Sequence, residues 1–124
     1  MTHVKTLWLD LEGGGRLSGA YDLVVSSMTL HHIRNIDALL LQFHGVLKSC
    51  GLLALSDLEP DDGQFHTDNT GVFHFGFDRA DLTDRLIRAG FPDIETSVAA
   101  HIHKTLPDGS QRAFRVFLIT ARKP

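Results

Sequence analysis

Apolar residues along the chain fall into short runs and into two spacings, and each predicts an element. Val4–Leu9 (VKTLWL) is a short β-prone run with Val, Thr and Trp. Tyr21–Ser26 (YDLVVS) has a Leu-Val-Val centre that predicts a buried strand. Ile36, Leu39, Leu40, Phe43 and Leu47 then follow helical spacing, with Asn35 as N-cap, Gly51 as the stop and Lys48 at the negative end. Leu52–Ser56 (LLALS) is again continuous and apolar, so this unit predicts a parallel strand pair joined by a right-handed crossover. Asp57 to Phe77 carries little regular pattern, a length typical of a lid or binding loop.

The second half changes period. Asp78 opens a helix with Asp81 at the capping-box position, a stripe of Leu82, Leu86 and Ala89, and Gly90 to close it. From Ile94 to Thr105 the chain alternates: Ile94, Thr96, Val98, Ala100 and Ile102 are expected on one face, Glu95, Ser97, His101 and His103 on the other. A Leu-Pro-Asp-Gly-Ser turn (106–110) precedes Phe114–Ala121, so the last two strands form an antiparallel hairpin. The order β–β–α–β–loop–α–β–β predicts one α/β domain spanning 1–124.

Gly13, Gly14 and Gly15 suggest a cofactor-cradling loop. Such a loop works between a strand and a helix, where free N–H groups face the ligand. Here a second strand follows, and G-G-G-R-L-S-G does not match G-x-G-x-x-G, so an exposed connection is the better reading.

Composition narrows the class. The 124 residues carry a net charge of −3 with scattered basic residues, which excludes an evident nucleic-acid or membrane-surface patch. One cysteine, Cys50, no basic-then-apolar leader and no long apolar run together fit a cytoplasmic protein. Eight histidines are many for this length. His101 and His103 share a strand face but lack a third ligand at metal-binding spacing, and His3 and His44 look incidental. Asp57–Gly63 (DLEPDDG) has Asp62 where a calcium loop needs glycine.

Four segments together carry a resemblance: YDLVVSSMTLHHI, HGVLKSCGLLALSD, FDRADLTDRLIRAGF and FLITARKP. Their order and spacing resemble the C-terminal portion of class I S-adenosylmethionine-dependent methyltransferases. Val46–Gly51 (VLKSCG) is similar to that family's VLKPGG stop, with Ser49 and Cys50 in place of Pro and the first Gly. The resemblance implies a Rossmann-like sheet closing in an antiparallel hairpin. It also implies that the first two strand–helix units, about 60 residues at roughly 30 each, and the acidic-Gly-x-Gly-x-Gly loop are absent.

In open α/β sheets, ligands bind beyond the carboxyl ends of strands. The resemblance makes Asp10 and Leu11 adenine or ribose contacts, and places Ser26, Ser27 and Met28 at the cofactor edge. His31 and His32 are the candidates for removing a proton from the acceptor, with purely structural roles the alternative: His32 packed under the helix and His31 hydrogen-bonded locally. Asp57, Glu59, His66 and His74 are candidate substrate contacts, the last two on a loop whose four phenylalanines could close an apolar pocket or simply anchor it. No metal is expected. The expected function is methyl transfer from S-adenosylmethionine to a small molecule. The alternative is a truncated, non-catalytic module that dimerises, or pairs with a partner supplying the cofactor-binding half.

Overall fold

β1 (Tyr21–Ser27) lies parallel to β2 (Leu47–Leu58), and the crossover between them is α1 (Ile36–Val46). β2 pairs antiparallel with β4 (Gln111–Arg122), which pairs antiparallel with β3 (Asp93–Thr105), giving the sheet order β1-β2-β4-β3. α2 (Arg79–Arg88) enters between β2 and β3. This computed structural model describes residues 4–11, 13–63, 65–66 and 68–124; His3 and Gln64 therefore lie outside the described residues.

Both helices cover the same face of the sheet. Leu39, Leu40 and Phe43 of α1 and Leu82 and Leu86 of α2 pack with Leu53, Leu55, Phe117 and Ile119 in one core. The caps that start these helices are the ones the sequence predicts. Asn35 accepts the Ala38 N–H and Asp78 accepts those of Ala80 and Asp81.

The opposite face, among the described residues, carries no helix. Register puts Leu23 and Val25 of β1 on it beside Leu52 and Ala54, and these two β1 residues are 54% and 65% exposed. β1 is also an edge strand. Only the carboxyl-end part of this face is covered, where Phe65 joins Leu58, Phe114 and Val116 in a second cluster.

Three expectations are corrected. Val4–Leu9 is not a strand: it pairs with nothing in the sheet, and Leu7 and Trp8 are 79% and 87% exposed. A β-prone run without a partner ladder stays irregular. α1 ends at Val46 rather than near Gly51, because β2 begins at once and carries an irregularity between the pairs Tyr21–Leu47 and Leu23–Leu52, with Cys50 at φ 65°. The helix-end carbonyls of His44 and Leu47 receive Lys123 Nζ, each at 2.8 Å, while Lys48 lies 3.8 Å from Asp22. Finally, a bulge between Val98 and Ala100 breaks the alternation of β3. Ile94 therefore packs on the helix-side core and Ile102 on the second cluster.

Candidate functional site at the carboxyl ends of β1 and β2

Immediately after β1 the chain makes a tight turn. Met28 sits at φ 55°, unusual for a side chain of its size, while its N–H donates to Ser56 O at 2.9 Å. Ser56 Oγ donates to Ser27 Oγ at 2.7 Å, so Ser26–Met28 are tied to the end of β2. A single 3-10 turn, Leu30–His32, follows.

That turn delivers His31 into the interior, 2% exposed, against Asp57, which is fully buried. His31 Nδ1–H donates to Asp57 Oδ1 at 2.8 Å, and the His31 backbone N–H reaches Oδ2 at 3.3 Å. Leu58 N–H donates to Oδ1 at 2.7 Å. A carboxylate only accepts, so Asp57 holds the His31 ring with its Nδ1–H turned inward and its Nε2 as the outer nitrogen. Asp57 is thus a buried partner of His31 with no surface left for a substrate. The two histidines also exchange the structural roles expected of them, His31 being buried and His32 exposed.

The described residues of 59–63, 65–66 and 68–77 form a strap that returns over this turn. Phe73 N–H donates to His31 O at 2.8 Å, His32 Nδ1–H to Gly71 O at 2.8 Å, and His74 Nε2–H to Ile33 O at 2.7 Å. His66 completes a cluster of imidazoles, its ring centroid 4.9 Å from His31 and 6.1 Å from His32; His31 and His32 are 4.2 Å apart. Its Nε2 is buried and has no hydrogen-bond partner among the described residues. Desolvation first, then the neighbouring His31, His32 and Lys104, lower its pKa below 6.5.

The other candidates have local partners. Asp10 accepts the Gly13 N–H at 3.0 Å, and Gly15 N–H closes the turn on Asp10 O at 2.8 Å. A Cβ on Gly15 would lie 2.5 Å from that oxygen, which explains a glycine here without a ligand. Leu11 packs partly buried on the helix-side core. Glu59 pairs with Arg79 at 3.1 Å and Arg115 at 3.5 Å. His101 and His103 stay exposed on β3, and no group of three metal-ligating side chains occurs among the described residues. The site thus brings His31, His32, Asp57, His66 and His74 together. Sequence reasoning missed the His31–Asp57 pairing, for which 26 positions of separation leave no local signal.

A concavity of about 570 Å³ lies elsewhere, between the glycine segment and α1, and among the described residues Arg16 is the one titratable group in its lining. As a place for S-adenosylmethionine the described residues are incomplete: the glycines lead into β1, and the N-termini of α1 and α2 are taken by Asn35 and Asp78. They fit one flank of such a site, not the cradle.

Comparison with known proteins agrees with the topology. The chain is 39% identical over 88 residues to the malonyl-[acyl-carrier protein] O-methyltransferase of Laribacter hongkongensis (strain HLHK9), a match covering 66% of this chain and 30% of that protein. Phosphoethanolamine N-methyltransferase 2 of Haemonchus contortus, solved with phosphomonomethylethanolamine and S-adenosylhomocysteine, superposes with a TM-score of 0.60 at 14% identity over 84% of this chain and 34% of that one. TehB from Haemophilus influenzae gives 0.60 at 16% identity, over 87% and 37%. The chain thus spans about a third of the length of these relatives. No helix among the described residues is long and apolar enough to cross a membrane. A profile of the methyltransferase domain matches residues 3–109, and the chain belongs to that family.

Proposed function

We propose that the chain serves S-adenosylmethionine-dependent methyl transfer to a small molecule with an O–H or N–H group, and carries both acceptor contacts and one flank of the cofactor site. The observation that carries this reading is the buried His31–Asp57 pair at the carboxyl ends of two parallel strands, where open α/β sheets hold their ligands. Methyl transfer draws much of its rate from positioning, and a histidine held in one orientation by a carboxylate suits an acceptor that must lose a proton. Asp57 orients His31; His32 and His74 tie the strap to the turn; Asp10, Leu11 and Ser26–Met28 are assigned to the cofactor side. Titration calorimetry with S-adenosylhomocysteine tests this reading. Binding in the micromolar range or tighter supports it, and no binding at millimolar ligand contradicts it for this chain by itself.

A second reading is favoured by the β1 edge and the exposed Leu23 and Val25: a non-catalytic module that dimerises, or pairs with a partner chain, across that edge. Sedimentation equilibrium separates the two. A stable dimer without cofactor binding supports the module, and a monomer that binds cofactor rejects it.

A further inference from the structure

The histidine cluster has one member that the closed site leaves unsatisfied. His66 stands on the strap, and its Nε2 is buried with no partner among the described residues. Three other strap contacts with the 30–33 turn each satisfy a polar group: Phe73 N–H on His31 O, His32 on Gly71 O, His74 on Ile33 O. A buried polar atom without a partner favours any arrangement that returns it to water. The closed strap is therefore held against the hydration of its own histidine.

The residue before His66 is anchored. Phe65 packs edge-on against Phe114 at 5.2 Å, and Lys104 of β3 donates to Phe65 O while lying 3.9 Å over its ring. That anchorage brings a fixed ammonium close to the His66 imidazole. The groups facing the ring are His31 and His32 from the 3-10 turn, Lys104 from β3 and Asp61 from the strap itself. Asp57 of β2 lies behind His31 and already accepts from His31 and Leu58. Asp61 alone among the facing groups attracts a proton to the ring, and Lys104 repels one at any ordinary pH.

We propose that His66 is the closing residue of this site: while its imidazole is uncharged the strap lies over the His31–Asp57 pair, and a proton on it lifts the strap and uncovers the pair. The charge would otherwise be held beside Lys104 with no acceptor for its second N–H among the described residues. This goes beyond methyl transfer and stands on the strap's contacts alone. It takes from the proposed function only the identity of what is covered, so the strap experiment and the cofactor titration fail independently. The lowered pKa of His66 is consistent with it, since the strap then stays shut at neutral pH and opens only under mild acid.

Native-state hydrogen exchange on the full chain at pH 7.5 and 5.5, corrected for intrinsic exchange, tests the proposal. The reporters are the Asp61, Phe73 and Phe77 amides, which donate to Phe75 O, His31 O and Leu58 O. Their protection should fall severalfold at pH 5.5, towards the roughly tenfold ceiling that one proton can supply, while that of the β2–β4 ladder stays within twofold. In His66→Gln, which cannot charge, the strap amides should lose that response. Equal protection at both pH values, or an undiminished response in H66Q, overturns the proposal. A direct reading in the wild-type chain covers a poorly folded variant. The His66 ring resonance should titrate below pH 6.5 with the same midpoint as the strap amides. Midpoints that differ by a full pH unit overturn it.

Discussion

His31 and Asp57 show how much one buried carboxylate can organise. Asp57 takes three N–H groups, one from an imidazole and two from backbone, in a region with no exposure. Replacing it by alanine leaves all three unmatched, so Asp57→Ala should cost about 3 to 5 kcal/mol, read by urea unfolding. Asp57→Asn, which keeps an acceptor, should cost clearly less. His66 acts with the opposite charge logic. Its folded pKa lies below the ordinary 6.5, so the unfolded chain takes the proton first. Its contribution is whole above pH 6.5 and is lost as pH falls from there towards the folded value. Unfolding curves at pH 7.5 and 5.5 should therefore show a larger acid loss for wild type than for His66→Gln. The sequence marks these residues as chemically capable but leaves their burial open. Which of two adjacent histidines turns inward depends on a carboxylate 26 positions away.

At the level of elements, local rules explain what was legible. Asn35 and Asp78 cap α1 and α2 because the capping bond joins neighbours in sequence. Asp78→Ala should cost about 1 kcal/mol by thermal or urea unfolding, since two N–H groups lose their acceptor. Elements that depend on a distant partner were not legible. Val4–Leu9 has strand composition and no strand beside it, and the β3 bulge between Val98 and Ala100 shows only in the pairing with β4. That bulge is what sends Ile94 and Ile102 to opposite faces. Deleting Ala99 leaves Ile94 and Ile102 seven positions apart and every pair with β4 in register, so the variant should keep Ile102 on the second cluster and unfold within about 1 kcal/mol of wild type. A loss of several kcal/mol in urea unfolding would contradict this register.

The whole molecule is a sheet with two helices on one face and, among the described residues, none on the other. The parallel strand pair and the antiparallel closing hairpin follow from sequence patterns that carry the family resemblance, which is why the fold class could be read early; the sheet order could not. The exposed face could not: YDLVVS reads as a buried strand, yet Leu23 and Val25 are more than half exposed. Apolar residues on an edge strand invite another layer or another chain. The double variant Leu23→Lys/Val25→Lys should reduce self-association in sedimentation velocity while leaving the circular dichroism spectrum unchanged.

All three scales meet at the carboxyl ends of β1 and β2, and amide chemical-shift mapping with S-adenosylhomocysteine tests that placement most directly. The largest shifts should fall on Ser26–Met28 and His31, with Asp10 and Leu11 next. Shifts confined to the groove between the glycine segment and α1, or no shifts at millimolar ligand, would contradict it.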